Sequence, residues 1–153
     1  MIRLARRHDL EALVTGNLEM ARETERVRLD PAVLGAGVAA ILEGRAPGAY
    51  WVLEEEGQVR AQLLLTYEWS DWRNRTVWWI QSVWVDPEWR GRGLFRQLYA
   101  AVRDAAREAG AGGLRLYVDA SNKSAQAVYT ALGMNGEHYR VYEEMFAEPP
   151  REG

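Results

Sequence analysis

The chain has 153 residues, 48% of them hydrophobic and 27% charged, the size and make-up of one globular domain with a real core. Its net charge is −3, with eighteen Arg and a single Lys spread along the chain, which argues against long-range attraction to nucleic acid. There is no cysteine for disulfides, thiolate chemistry or a cysteine metal site, and no apolar run approaches the roughly 20 residues of a membrane span; a cytoplasmic protein is expected.

Residues 2–6 read as a short strand. Asp9 is placed to cap a first helix with Leu10, Leu13, Leu18 and Met20 among its apolar positions. Asp30-Pro31 opens a second helix, with proline at the first helical position and Val33, Val38, Ile41 and Leu42 inward, ending near Gly44. The period then changes to that of strands. Tyr50–Glu55, Val59–Glu68 and Thr76–Val85 read as three of them, joined by a Glu56-Gly57 turn and by a second turn around Ser70–Arg75. Seven Trp are present, and Trp69, Trp72, Trp78, Trp79 and Trp84 fall within sixteen residues. Trp78, Trp79 and Trp84 follow one another along a strand and cannot all face one pocket, so at least one is expected in the core or in a subunit interface.

The segment 83–99, VWVDPEWRGRGLFRQLY, carries the most information. An apolar alternation stops at Asp86-Pro87, and Arg90-Gly91-Arg92-Gly93 follows as a basic, glycine-punctuated turn. Residues 93–109 then read as an amphipathic helix with Leu94, Leu98, Ala101, Val102 and Ala105 inward. Glycines let the backbone approach a ligand closely, and the helix points unpaired amides and the positive end of its dipole into the turn. Together they make a seat for an anion, usually a phosphate. A Walker loop would need Lys-Ser/Thr where Leu94-Phe95 stands, and the dinucleotide fingerprint would need a third glycine. Beyond Gly110–Gly113, Leu114–Val118 reads as a short buried strand, Ser124–Leu132 as a helix stopped by Gly133, and 138–146 as a last strand. One domain over 1–147 and a frayed tail over 148–153 are expected. The order β-α-α-β-β-β-α-β-α-β describes an α+β layer on a mixed, mostly antiparallel sheet flanked by helices.

The turn resembles that of the GNAT acetyltransferases, R/Q-x-x-G-x-G/A, at Arg90, Gly93 and Leu94, with Phe95 where that family usually has Gly or Ala. The later segment SNKSAQAVYTALGM is similar to the family's N-x-x-A-x-x-x-Y motif and its Leu-Gly turn, at Asn122, Ala125, Tyr129, Leu132 and Gly133. The resemblance spans about residues 48–146, and two motifs in order are far more specific than one.

The resemblance implies acetyl-CoA as cosubstrate. Main-chain groups of Val83, Trp84 and Val85 would pair with its pantetheine arm as an extra strand. Amides across Arg92, Gly93, Leu94 and Phe95, beside Gly91, would take the pyrophosphate, with charge added by Arg90 and Arg92. Phe95 would aim its ring into the core while its amide faces the anion. Asn122 matches a cofactor-contacting position and suits equally well as a helix cap. Tyr129 matches the residue that protonates the departing thiolate, a task its phenol suits because it keeps its proton at neutral pH; it also belongs to an apolar helix face.

Many relatives place a glutamate base on the fourth strand, where this chain has Gln81 and Ser82. A base then comes from Glu68, from Asp71, or from water held by Gln81 and Ser82. Trp69 and Trp72 beside Glu68 and Asp71 suit an organic cation, and TYEWSDWRN is loosely similar to a hairpin of the diamine-type acetyltransferases. The expected function is therefore direct acetyl transfer to a primary amine of a small, polyamine-like molecule, since no cysteine can carry an acyl group. The rivals are a CoA-holding sensor or scaffold without turnover, and an interaction protein using the Trp-rich face. His8 and His138 stand isolated, and no metal is expected. An exposed aromatic sheet face favours a homodimer; no membrane or nucleic-acid partner is expected.

Overall fold

The computed structural model describes residues 1–147 and Pro149, so the expected tail lies, apart from Pro149, outside the described residues. A five-stranded sheet runs in the order β1 (Ile2–Leu4), β2 (Ala49–Glu55), β3 (Gln58–Ser70), β4 (Arg75–Val85), β5 (Gly113–Leu116). The first four pair antiparallel and β5 joins β4 in parallel. The helices are α1 (Leu10–Glu25), α2 (Pro31–Leu42), α3 (Leu94–Glu108) and α4 (Lys123–Ala131). The expected α+β, mostly antiparallel architecture is found in the expected order as far as α4.

Each turn follows from its residues. Glu56 and Gly57 both have positive φ (55° and 72°) and join β2 to β3 in two residues, the geometry a hairpin's twist prefers. The second hairpin closes through residues 71–74, with Asn74 at φ 50°. Asp30 caps α2 by accepting from the Ala32 amide at 2.9 Å, with Pro31 at the first helical position. Asp9 precedes α1 as expected, but its carboxylate makes no cap bond to that helix. It instead takes a two-pronged hydrogen bond from the Arg3 guanidinium (2.8 and 3.0 Å) and one from the Arg6 amide at 2.6 Å. Arg3 also holds Glu54 at 2.7 Å, so one guanidinium ties β1, β2 and the start of α1 together. Its hydrogen bonds keep the Asp9 carboxyl below the usual carboxylate range.

Two cores lie on opposite faces of the sheet. On one, α3 buries Leu94, Leu98, Tyr99 and Val102 against Leu53, Ala61, Leu63, Leu65 and Ile80. Leu98 is fully buried, and truncating it to Ala removes about 2–5 kcal/mol. On the other, α1 and α2 bring Leu13 and Val38 onto Tyr50 and Val52. Here Gln62 reaches beneath α1, donating to the Leu13 carbonyl at 3.0 Å; a Cβ on Gly16 would stand 2.6 Å from its Oε1.

Residues 138–146, expected as a last strand, have no ladder partner and lie as exposed irregular chain. Alternation made them strand-like, but an edge strand exists only where a neighbour supplies the ladder. The three tryptophans separate as their spacing requires. Trp78 packs on the α3-side core, Trp79 meets Tyr117 at 4.7 Å, and the Trp84 indole donates to Glu19 at 3.0 Å.

Candidate active site

The site begins with an irregularity in β4. Its ladder to β3 runs from Ser70↔Arg75 to Ala61↔Val85, but Leu64 faces Ser82 while Leu65 faces Ile80. Gln81 is thus an extra residue, a β-bulge, a feature common next to active sites. The bulge resets which face each side chain takes. Trp78 and Ile80 before it, and Val83 and Val85 after it, all pack on the α3 side. Ser82 and Trp84 are thereby turned to the α1 side.

At the same place β4 loses its other neighbour. The parallel ladder to β5 covers Val77–Ile80 against Gly113–Leu116 and then ends. Residues 82–85 remain paired to β3 while their other edge has no strand beside it among the described residues. That edge leads through Asp86–Trp89 into the glycine turn. Gly91 and Gly93 both sit at φ 77°, the left-handed region that favours glycine, and a Cβ on either would meet nothing within 4 Å. No side chain caps α3, and the amides of Arg92, Gly93, Leu94 and Phe95 find no acceptor among the described residues. Free helix-start amides facing open space are the parts an anion needs.

The arginine side chains are not turned toward that space. Arg90 donates to the Val85 carbonyl (3.1 Å) and pairs with Glu23 of α1 at 2.8 Å. Arg92 lies over the Trp89 ring at 4.6 Å and donates to the Glu88 carbonyl at 3.3 Å. Phe95 packs against the α3-side core, so its ring points inward while its amide stays at the helix start. That ring also meets Tyr129 of α4 edge-on at 5.8 Å, which brings the two sequence motifs into contact. Tyr129 is half-buried, its hydroxyl has no hydrogen-bond partner among the described residues, and burial pushes its pKa above the ordinary value. Asn122 takes the capping role, accepting from the Ala125 amide at 3.2 Å.

The candidate bases are divided. Gln81, at the bulge, donates to Thr66 Oγ1 at 2.7 Å, and Ser82 lies near the sheet's α1-side polar groups. Glu68 faces Val77, four residues up the strand from Gln81, and is held by Arg115 at 2.6 Å. Asp71 turns back to the amide of Trp72 in the hairpin turn. Trp69 and Trp72 are 62% and 91% exposed at that same end, which therefore lies away from the unpaired edge. His138 sits in the exposed C-terminal segment against Tyr139. No cluster of His, Asp or Glu able to hold a metal occurs among the described residues. Asn17 and Tyr50, which pattern reading assigns to helix and strand and nothing more, hydrogen-bond to each other at 3.3 Å beneath this part of β4. A polar residue inside an apolar helix stripe is the one signal that marks Asn17 beforehand.

Comparison with known proteins gives a consistent result. The sequence model of the acetyltransferase (GNAT) family matches residues 11–134. A mycothiol acetyltransferase of Nocardiopsis dassonvillei is 31% identical over 71% of this chain and 42% of its own length. A thialysine N-epsilon-acetyltransferase of Bos taurus is 34% identical over 46% of this chain and 41% of its own. The chain thus spans about two-fifths of the length of these two relatives. A crystal structure of a possible acetyltransferase from Clostridium difficile 630 is 40% identical, with TM-score 0.88, over 97% of this chain and 98% of that one.

Proposed function

This chain belongs to the GNAT acetyltransferase family, and on that premise we propose that it transfers acetyl from acetyl-CoA directly to a primary amine of a small molecule. The observation that carries this reading is the one-sided strand. Residues 82–85 keep β3 and lack β5, and their free edge runs straight into the uncapped amides of Arg92–Phe95. From residue 81 to Asp86 an extended strand covers about 17 Å, a length suited to the pantetheine arm. The pyrophosphate takes the free amides, the arm pairs with Val83, Trp84 and Val85, and the thioester comes to rest near the bulge. Binding falls to main chain; Arg90 and Arg92 brace the turn from behind.

Holding thioester and amine together removes most of the entropic cost of their meeting. Tyr129 protonates the departing thiolate, since a phenol with a raised pKa stays loaded at neutral pH. Glu68 is neutralised by Arg115 and Asp71 is remote, so the amine loses its proton to water held at Gln81. A small amine acceptor is favoured by the likeness to the bovine relative, whose name states acetylation of thialysine at an ε-nitrogen. The domain is taken as residues 1–147, acting in the cytoplasm. The exposed Tyr139, Tyr142 and Phe146 make a homodimer the expected assembly. The test is an amine panel with acetyl-CoA, reading free CoA: release with at least one amine supports transfer. CoA binding without release across the panel supports the sensor reading instead.

A further inference from the structure

The helix that offers its positive end to the glycine turn carries its negative end to the far side of the molecule. α3 is 15 residues long, about 22 Å, and the chain just past its last turn closes a hollow at the hairpin end of β3 and β4. The hollow has a volume of about 550 Å³ and is walled by Tyr67, Trp69, Trp78 and residues Ala109 to Ala111, with Asn74 and Thr76 at its rim. Trp78 lies opposite Tyr67 in the ladder, and the two rings meet at 5.7 Å with their planes 75° apart, like two walls of a corner. Trp69, two residues on from Tyr67, shares its face of the strand, and both side chains are exposed. On the remaining side, the carbonyls of Ala109 and Gly110 accept no hydrogen bond among the described residues, as befits the end of a helix.

Ring faces and bare carbonyls both present negative charge density, and the end of the α3 dipole adds to it. Among the described residues no Asp or Glu lines the hollow. That combination discriminates between cations. A primary ammonium is compact and strongly hydrated, and gives up its water readily only to a carboxylate or to several acceptors at once. An alkylated ammonium spreads its charge over methyl groups, is weakly hydrated and fits ring faces. Arg75 touches the rim, but its Cβ packs beside Val77 against Gly112, on the other face of β4 from Trp78.

We infer that this hollow binds a small alkylated ammonium ion, with the rings of Tyr67, Trp69 and Trp78 around its methyl groups and the end of α3 beside them. The site lies at the opposite end of α3 from the glycine turn, and the inference does not rest on the acetyl-CoA cleft. The organic cation that the sequence suggests for this hairpin thus finds a place on the α3 face. Glu68 and Trp72 take no part in it: Glu68 is held by Arg115, and Trp72 stands out in the turn.

The test is an NMR titration of the isotope-labelled full chain, without acetyl-CoA, using choline and its uncharged carbon isostere, dimethylbutanol, at matched ionic strength. Choline shifts the indole N–H signals of Trp69 and Trp78 in one saturable event in the millimolar range, while that of Trp72 stays nearly still. The isostere binds at least about 10-fold more weakly, because it keeps the shape and loses the charge. Trp69→Ala lowers choline affinity about 10-fold, and so does Trp69→Leu, which keeps apolar bulk and removes only the ring. Equal binding of choline and the isostere would make the hollow merely apolar and overturn the inference. So would the lack of a saturable shift at Trp69 and Trp78. A peptide carrying trimethylated lysine that bound more than about 10-fold tighter than choline would assign the hollow to a protein tail and overturn the small-molecule occupant.

Discussion

Among the described residues, 77–80 of β4 have a strand on each side, while 82–85 have one only on the β3 side. The first half is closed by ladders and aromatic packing: Trp78 sits in the core and meets Tyr67 edge-on at 5.7 Å, and Glu68 is tied to Arg115. The second half keeps an unpaired main-chain edge and ends at a turn whose amides are likewise unpaired. The same contrast separates the helix starts. Asp30 caps α2 and Asn122 caps α4; α1 and α3 both start without a side-chain cap, and of these two only α3 starts at a left-handed glycine. Exposed main-chain donors of this kind are met by water, which a ligand that supplies acceptors can displace.

The largest effect is expected at the turn. Gly93→Val places a β-branched residue at φ 77° and fills the open space before the amides; calorimetry should read at least about a 100-fold loss of acetyl-CoA affinity. Unchanged affinity would erase the contrast between α3 and the capped helices. Next comes Tyr129→Phe, which removes a proton donor and nothing that binds. Steady-state kinetics should show kcat falling about 100-fold with the acetyl-CoA KM little changed. Because burial raises the Tyr129 pKa, the phenol stays protonated through the neutral range, so the alkaline fall in kcat belongs above pH ~10. An alkaline fall well below that would assign the acid elsewhere.

A smaller effect is expected from Phe95→Ala. The ring packs inward, so thermal melting should show lower stability while acetyl-CoA affinity changes less than about threefold. A complete loss of affinity would put the ring itself in the cleft. Smallest of all is Trp72→Ala, at a residue 91% exposed in the hairpin turn before β4; acetyl-CoA affinity should stay within about twofold and stability within about 0.5 kcal/mol. A marked rise in the amine KM of this variant would bring the hairpin back to the acceptor site.

Local rules made much of this legible beforehand. The Glu56-Gly57 turn, the Asp30-Pro31 start, the glycine stop at Gly133 and the uncapped start of α3 each follow from residues adjacent in the chain. What stayed hidden depends on distant partners. The bulge at Gln81 exists only against Leu64 and Leu65, and the place where β4 leaves β5 depends on how far Gly113–Leu116 runs beside it. Asn17 and Tyr50, hydrogen-bonded to each other, lie 33 residues apart in sequence, and no motif links them. Residues 138–146 show the reverse: their alternation suggests a strand that no neighbour completes. Ladder register, which no local rule gives, sets the hairpin around Trp72 at the opposite end of β4 from the glycine turn. Arg90 matched its motif by position, and a glutamate on α1, far off in sequence, decides where its side chain goes.

If the unpaired edge and the uncapped turn bind one molecule together, an amide-resolved NMR titration with acetyl-CoA moves both at once. The largest shifts then fall on the amides of residues 81–85 and 91–95 in a single saturable event, with 75–79 nearly still. Saturable shifts centred on the Trp69–Trp72 hairpin or on the outer face of α1, with 91–95 unmoved, would contradict it.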